Sequence, residues 1–282
     1  MPKNNFPGVA IFAFNRPNHL KKTLNNLSKN ISAKKFDIYI FCDGPKNKND
    51  QTKINQVHKV AKNIGTFKSK KFFFRKKNFG LHNSLKYGIS KVLKIKTSVI
   101  VLEDDIITNK HFLNYMFKAL NFFNNHKNIG SVTGYSYTDS NDDMFLSQRH
   151  ASWGWGTWRH LWKKMKWKKK YIKKYVNQKN FKNNFNKAGK DMFQLLEEQL
   201  DGKIDTMDIV FNFNCFIKNK FCVCPKNSML YNIGLDGTGI HCKKNDKVFN
   251  NFDKNFYPKS FNKIKVKKRI IRNIYNSFKT PF

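Results

Sequence analysis

The stretch VIVLEDDIIT, residues 99–108, decides the fold. Val99–Leu102 form an aliphatic run too continuous for a half-exposed strand, so it reads as a strand buried on both faces. It ends in three adjacent carboxylates, Glu103, Asp104 and Asp105, in a chain with 55 Lys or Arg and only 18 Asp or Glu. Like charges at roughly 4–6 Å raise one another's pKa, and at the mouth of a buried strand they are also partly desolvated. A hard cation such as Mg²⁺ or Mn²⁺, which favours oxygen ligands, would relieve that repulsion. A solvated acidic turn, or a carboxylate near the start of a helix after Thr108-Asn109, would account for the same residues without a ligand.

Working outward, the same grammar repeats. VAIFAF (9–14), IYIFC (38–42) and KFFF (71–74) read as further strands. Between them lie segments of helical spacing: Leu20, Leu24 and Leu27; Ile54, Val57, Val60 and Ala61; Leu81, Leu85, Ile89 and Val92. Strands alternating with helices signal βαβ units and a mostly parallel sheet with right-handed crossovers. Ligands bind such sheets at the carboxyl ends of the strands. Those ends carry Asn15-Arg16, Asp43-Gly44, Arg75 and Glu103-Asp104-Asp105, four polar groups converging on one edge.

The second half follows a different pattern. Residues 109–125 and the basic segments up to about 200 read as helical, IGSVTG (129–134) and FCVC (221–224) as strands. All five tryptophans fall in ASWGWGTWRHLWKKMKW (151–167). Trp153, Trp155 and Trp158 offer broad apolar faces, which would either pack the C–H patches of a bound ring or anchor the second half of the fold. Trp162 and Trp167 are expected in helix packing. Asp205 and Asp208 flank Thr206-Met207, and Asp205 stands where a helix over 206–218 would take its N-cap.

Composition bounds the rest. Forty per cent apolar residues with 28 phenylalanines suffice for a packed core, and 282 residues for one large α/β domain or two small ones. Five cysteines without a signal-like N-terminus fit reduced thiols in a cytosol. The spacing of Cys222, Cys224, His241 and Cys242 matches no standard zinc finger. No run approaches the roughly 18 apolar residues of a membrane span. The net charge of +37 points to an anionic partner. It includes an acid-free run from Met144 to Lys190 with 14 Lys or Arg, and another from Lys254 to Phe282 with nine.

AIFAFNRPNHLKKTL (10–24), IFCDGP (40–45), NFGLHNSLKYGI (78–89) and VIVLEDDI (99–106), in that order, resemble a GT-A fold nucleotide-sugar glycosyltransferase. The likeness is to the branch related to N-acetylglucosaminyltransferase I and its bacterial, family 2-like relatives, and it covers roughly residues 7–245. It implies an α/β, Rossmann-like mixed sheet, mostly parallel and flanked by helices, over 1–250. A nucleotide-binding half would span about 7–108 and an acceptor half about 109–250, with 251–282 a basic amphipathic tail. It implies Asp105 as the contact to Mn²⁺ or Mg²⁺, with His241 in a glycine-rich late loop as a further ligand or a contact to the diphosphate. Glu103 and Asp104 would touch sugar or ribose hydroxyls or orient the ion. Asn15, Arg16, Asp43 and Arg75 would meet the nucleotide, and Trp153 and Trp155 the sugar. Asp208 would be the catalytic base, with Asp205 held in reserve. The related sequences carry tryptophan where this chain has Met207.

The activity so implied is transfer of a sugar from a nucleotide sugar to a hydroxyl of a glycan or lipid-linked acceptor, with inversion. The acceptor would be lipopolysaccharide core, another surface glycan or a lipid-linked oligosaccharide. The basic tail, read as an amphipathic helix within 261–278, is expected to lie on an anionic membrane surface, the inner face of the cytoplasmic membrane. A nucleic-acid-binding protein would use the same positive charge but leaves the acidic triplet unexplained. A sugar nucleotidyltransferase calls for a glycine-rich loop after the first strand, where this chain has Asn15-Arg16-Pro17.

Overall fold

A computed structural model describes residues 5–236 and 251–278. In the first half β1 (Gly8–Ala13), α1 (Pro17–Ser28), β2 (Asp37–Cys42), α2 (Gln51–Lys62), β3 (Ser69–Phe74), α3 (Leu81–Ile95) and β4 (Ser98–Glu103) follow one another. Every residue of β1 is buried, as its unbroken apolar run requires. Pro17 opens α1 at the one helical turn where a missing N–H costs nothing, so Arg16 stands between the end of β1 and the start of a helix.

Then come β5 (Ile106–Thr108), α4 (Phe112–Phe123), β6 (Ile129–Thr133), β7 (Met144–Ser147), β8 (Trp155–Trp158) and α5 (Arg159–Trp162). After α6 (Lys169–Val176), α7 (Phe181–Phe185), α8 (Met192–Asp201) and α9 (Asp208–Ile217), the described chain adds β9 (Phe221–Pro225), β10 (Leu230–Asn232) and α10 (Lys268–Ser277). Eight strands form one sheet in the order β3-β2-β1-β4-β8-β6-β9-β7. β3, β2, β1 and β4 are parallel; β8 is antiparallel to both β4 and β6. The fold is therefore the mixed α/β, GT-A-like sheet that the sequence implied.

Two features of this topology position the site. The chain runs outward from β1 through β2 to β3, then returns to place β4 on the other side of β1. The crevice at that reversal is where open α/β sheets bind ligands. It brings Arg16, just after β1, beside the triplet that ends β4, with Phe12 paired to Glu103. The second feature is a two-stranded ribbon, with Leu230 opposite Thr108 and Asn232 opposite Ile106. It lays residues 230–236 directly over the triplet.

The main core runs the length of the sheet, and a satellite core of Ile172, Phe181, Phe185, Leu196 and Phe213 joins α6 to α9. The tail corrects one expectation. The apolar face of α10 does not lie open to a headgroup layer, because Ile270 and Ile274 are buried against Phe145, Cys222 and Cys224. Its basic face, with Lys268, Arg269 and Arg272, stays exposed. No helix among the described residues is long and apolar enough to cross a membrane.

Candidate active site

A cavity of about 530 Å³ opens at the carboxyl edge of β1 and β4, within the usual range for a small-molecule pocket. Asn15, Arg16, Asp43, Glu103, Asp104, Asp105, Trp153, Asp205 and Asp208 all line it. Nine residues singled out from the sequence thus share one wall system, although 193 positions separate the first from the last.

The acidic cluster is tightly held. Thr23 Oγ1 donates to the Asp104 carbonyl at 2.7 Å, and the Ile233 N–H donates to the Asp105 carbonyl at 2.9 Å. The Arg16 guanidinium pairs with Asp104 and reaches Asp105 Oδ2 at 2.8 Å. Burial works against the Arg16 charge, but Asp104 and Asp105 outweigh it and hold its pKa above the ordinary arginine value. Burial raises Glu103 well above the usual carboxylate range, and Asp105, Asp208 and Asp104 push it the same way. Asp104 is pushed up to about 6 by burial, with Arg16 opposing. One oxygen, Asp105 Oδ1, is buried without a hydrogen-bond partner.

Behind the cluster sits a brace. Asp43 accepts the Phe79 N–H at 3.0 Å and the Gly44 N–H at 3.0 Å. This ties the loop before α3 to the end of β2. Arg75 is placed differently from expectation: it is absent from the cavity wall. Its Nη1 donates to Ser84 Oγ at 2.5 Å and lies 3.6 Å from Asp43, and its guanidinium stacks on Phe79 and Tyr87. It supports Asp43 from the far side. Asn15 Nδ2 donates to Asp50 Oδ1 at 2.8 Å, fixing the loop that carries Lys46.

Asp205 and Asp208 close the opposite wall. Asp208 opens α9, where a carboxylate suits the helix dipole. Asp205 does not cap that helix; Met207 holds the capping position. Asp205 instead lies against Gly80, whose φ of +76° favours glycine and whose absent Cβ would sit 2.6 Å from Asp205 Oδ2. Met207, where the resemblance expected tryptophan, is fully buried.

The tryptophans divide. Trp153 is half-buried on the cavity wall, edge-on to Tyr135 at 5.0 Å. Trp155 faces away: it is 1% exposed in β8, against His150 at 4.4 Å and Phe211 at 4.8 Å. Insertion of β8 between β4 and β6 turns it into the core, which corrects the expectation that it contacts substrate. His241 lies outside the described residues.

Sequence reasoning missed Lys46, Tyr137, Arg149 and His150 on the wall. For Arg149 a signal existed. Asp191 is the first acid after the acid-free run, and its carboxylate grips Arg149 by a two-pronged pair at 2.7 and 2.9 Å.

Among the described residues no group of three or more His, Cys, Asp or Glu is arranged to cage a metal. The unpartnered Asp105 Oδ1 supplies one hard oxygen, which suits an ion held by one carboxylate and by substrate phosphates rather than by an all-protein cage.

The model for Glycosyl transferase family 2 matches residues 8–190, well over half of the chain. No curated protein matches the chain by sequence. A crystal structure of S. aureus TarS is similar at 10% identity over 82% of this chain and 38% of that one, with a TM-score of 0.46. The structure of S. aureus TarS 1–349 in complex with UDP-GlcNAc is similar at 12% identity over 80% of this chain and 57% of that one, TM-score 0.46. The chain thus spans well under two thirds of the length of either. The family match, over a sheet whose switch-point crevice holds the acidic triplet, carries the assignment: the chain belongs to glycosyl transferase family 2.

Proposed function

We infer that the cavity binds a nucleotide sugar along the β1–β4 edge and passes the sugar, with inversion, to a hydroxyl of a glycan or lipid-linked acceptor. The observation that carries this reading is the meeting of Glu103-Asp104-Asp105 and Asp208 in one cavity, with an unpartnered carboxylate oxygen on Asp105. In this reading the branch is the one related to N-acetylglucosaminyltransferase I, supported by the order of the four motifs. Residues 7–108 form the donor half and 109–250 the acceptor half.

Each chain group has a task. Asp43 keeps lone-pair capacity beyond its two backbone donors and accepts from the base or ribose. Asn15 and Lys46 flank the nucleotide. Asp105 Oδ1 holds Mn²⁺ or Mg²⁺, which when bound stabilises negative charge on the departing diphosphate. Trp153 offers its face to a sugar ring. Asp208 takes the proton of the attacking hydroxyl. The exposed basic face of α10 serves an anionic membrane surface that carries the acceptor, at about 1 kcal/mol per Lys or Arg close to it.

The test is turnover across a panel of nucleotide sugars, comparing the parent protein with Asp208→Asn. General base catalysis is worth about 10²–10⁴-fold, so the variant is expected to lose at least about 100-fold in turnover while retaining nucleotide binding. Near-normal turnover by Asp208→Asn would remove Asp208 as the base.

A further inference from the structure

Arg16 sits where a second cation would have to go. Its guanidinium pairs with Asp104 and also lies 2.8 Å from Asp105 Oδ2; the two acid side chains are only 3% and 8% exposed. The late loop presses down on this pair. A Cβ on Gly234 would lie 2.3 Å from Asp105 Oδ2 and 2.9 Å from Arg16 Nη1. On its other side, Asp105 keeps a buried oxygen with no partner. The cluster thus carries one resident positive charge, shared by Asp104 and Asp105, yet holds one carboxylate oxygen in reserve.

We propose that Arg16 is a resident counter-cation that shuts the Asp105 site to free divalent ions, and that a nucleoside diphosphate opens it by drawing the guanidinium onto its own oxygens. This rests on the reading that the cavity holds a nucleotide sugar, and adds to it a rule of order. A guanidinium and a divalent ion repel, and in a buried site that repulsion is poorly screened. With Arg16 on the carboxylates, an incoming ion gains one unpartnered oxygen and meets a fixed positive charge. A diphosphate changes both terms. It offers paired anionic oxygens that match the planar fork of arginine at least as well as a split contact to two carboxylates. Once the fork turns to the phosphates, Asp105 Oδ2 is released and the acidic cluster loses its neutralising charge. Cation binding is then favoured by the protein and by the phosphates together. By linkage, the ion strengthens nucleotide binding by the same factor.

The experiment measures Mn²⁺ binding to the full chain by the loss of the free-ion electron paramagnetic resonance signal. It is run with no nucleotide, with UDP and with GDP. For the parent protein, Mn²⁺ is expected to bind weakly alone and far more tightly with whichever nucleotide binds. Arg16→Gln is expected to bind Mn²⁺ alone about ten-fold or more tighter than the parent, and to lose about ten-fold or more of the nucleotide's enhancement. Adding Asp105→Asn to Arg16→Gln should abolish the gain, which locates it at this carboxylate. Arg16→Lys keeps the charge without the fork and serves if the glutamine variant does not fold; it is expected to fall between. Two results overturn the proposal: a parent protein that binds Mn²⁺ as tightly alone as with nucleotide, or a folded Arg16→Gln with no gain in Mn²⁺ affinity. If neither nucleotide binds while the variant does gain Mn²⁺, Arg16 is a counter-cation but the nucleotide-sugar reading, and the opening step built on it, fall.

Discussion

Replacing Asp191 with alanine isolates a buried charge. The Arg149 guanidinium is held by Asp191 through contacts of 2.7 and 2.9 Å, with side chains 13% and 10% exposed. The ring of Phe278 covers it at 3.7 Å, and Met192 Sδ lies 3.1 Å from Nη1. Burial alone would lower the Arg149 pKa; hydrogen bonds and charge from Asp191 reverse that and hold it above the ordinary value. Without Asp191 the guanidinium is left against Phe278 and Met192, neither of which carries a negative charge. Breaking a buried pair from one side costs about 3–5 kcal/mol. At roughly 2–4 °C per kcal/mol for chains approaching this size, the melting temperature should fall by roughly 6–20 °C. Urea unfolding of Asp191→Ala should show the midpoint fall with an unchanged slope. The double variant Arg149→Met, Asp191→Leu should recover most of the loss, since removing both charges removes the desolvation penalty. A loss under about 1 kcal/mol, as for an exposed ion pair, would refute this account of the pair.

Three further expectations follow from single residues. Trp155→Ala should cost about 3–5 kcal/mol in urea unfolding because it empties a core position, whereas Trp153→Ala should lower turnover with a much smaller stability loss; equal stability losses would contradict the division of the two rings. Burial works against the Asp37 charge, but hydrogen bonds from Lys96 and from Ser69 at 2.6 Å hold its carboxyl below the ordinary value. Its contribution to stability is therefore complete above about pH 4 and fades as pH falls through the lowered value; acid unfolding of Asp37→Asn should lack that component, and an unchanged acid limb would count against it. The Cys42 thiol is buried and pushed up to about 12 by burial and the nearby Asp104 charge. In the native protein at pH 8 the Cys42 peptide should resist iodoacetamide and react only in urea, as mass spectrometry would show.

Much of the first half of the chain was legible because its signals are local. The buried runs at 9–14, 38–42 and 98–102 and the helical spacing between them are read within a few residues, and they form β1, β2, β4 and their connecting helices. The carboxyl-edge rule then brings Asn15, Arg16, Asp43 and the triplet to one crevice without further information. What stayed hidden depends on distant pairing. Nothing near Trp155 announces that β8 will run antiparallel between β4 and β6 and turn that ring inward. The three-residue strand β5 acquires its meaning only when Leu230–Asn232 pairs with it, 122 positions later at Thr108 and Leu230. Arg75 illustrates the limit of the edge rule: it follows β3 as expected, yet Ser84, Phe79 and Tyr87 fold it behind Asp43 rather than into the cavity. The apolar stripe of α10 was readable as amphipathic, but its partner was the protein's own β7–β9 edge.

The most direct test of the central claim is a crystal structure of the protein grown with a turned-over nucleotide sugar, or its unreactive analogue, and Mn²⁺. Diphosphate density is expected beside Asp105 in the β1–β4 crevice, with the nucleoside toward Asp43 and the sugar facing Asp208. A nucleotide seated elsewhere, with the Asp105 carboxylate touching neither ion nor phosphate, would contradict it.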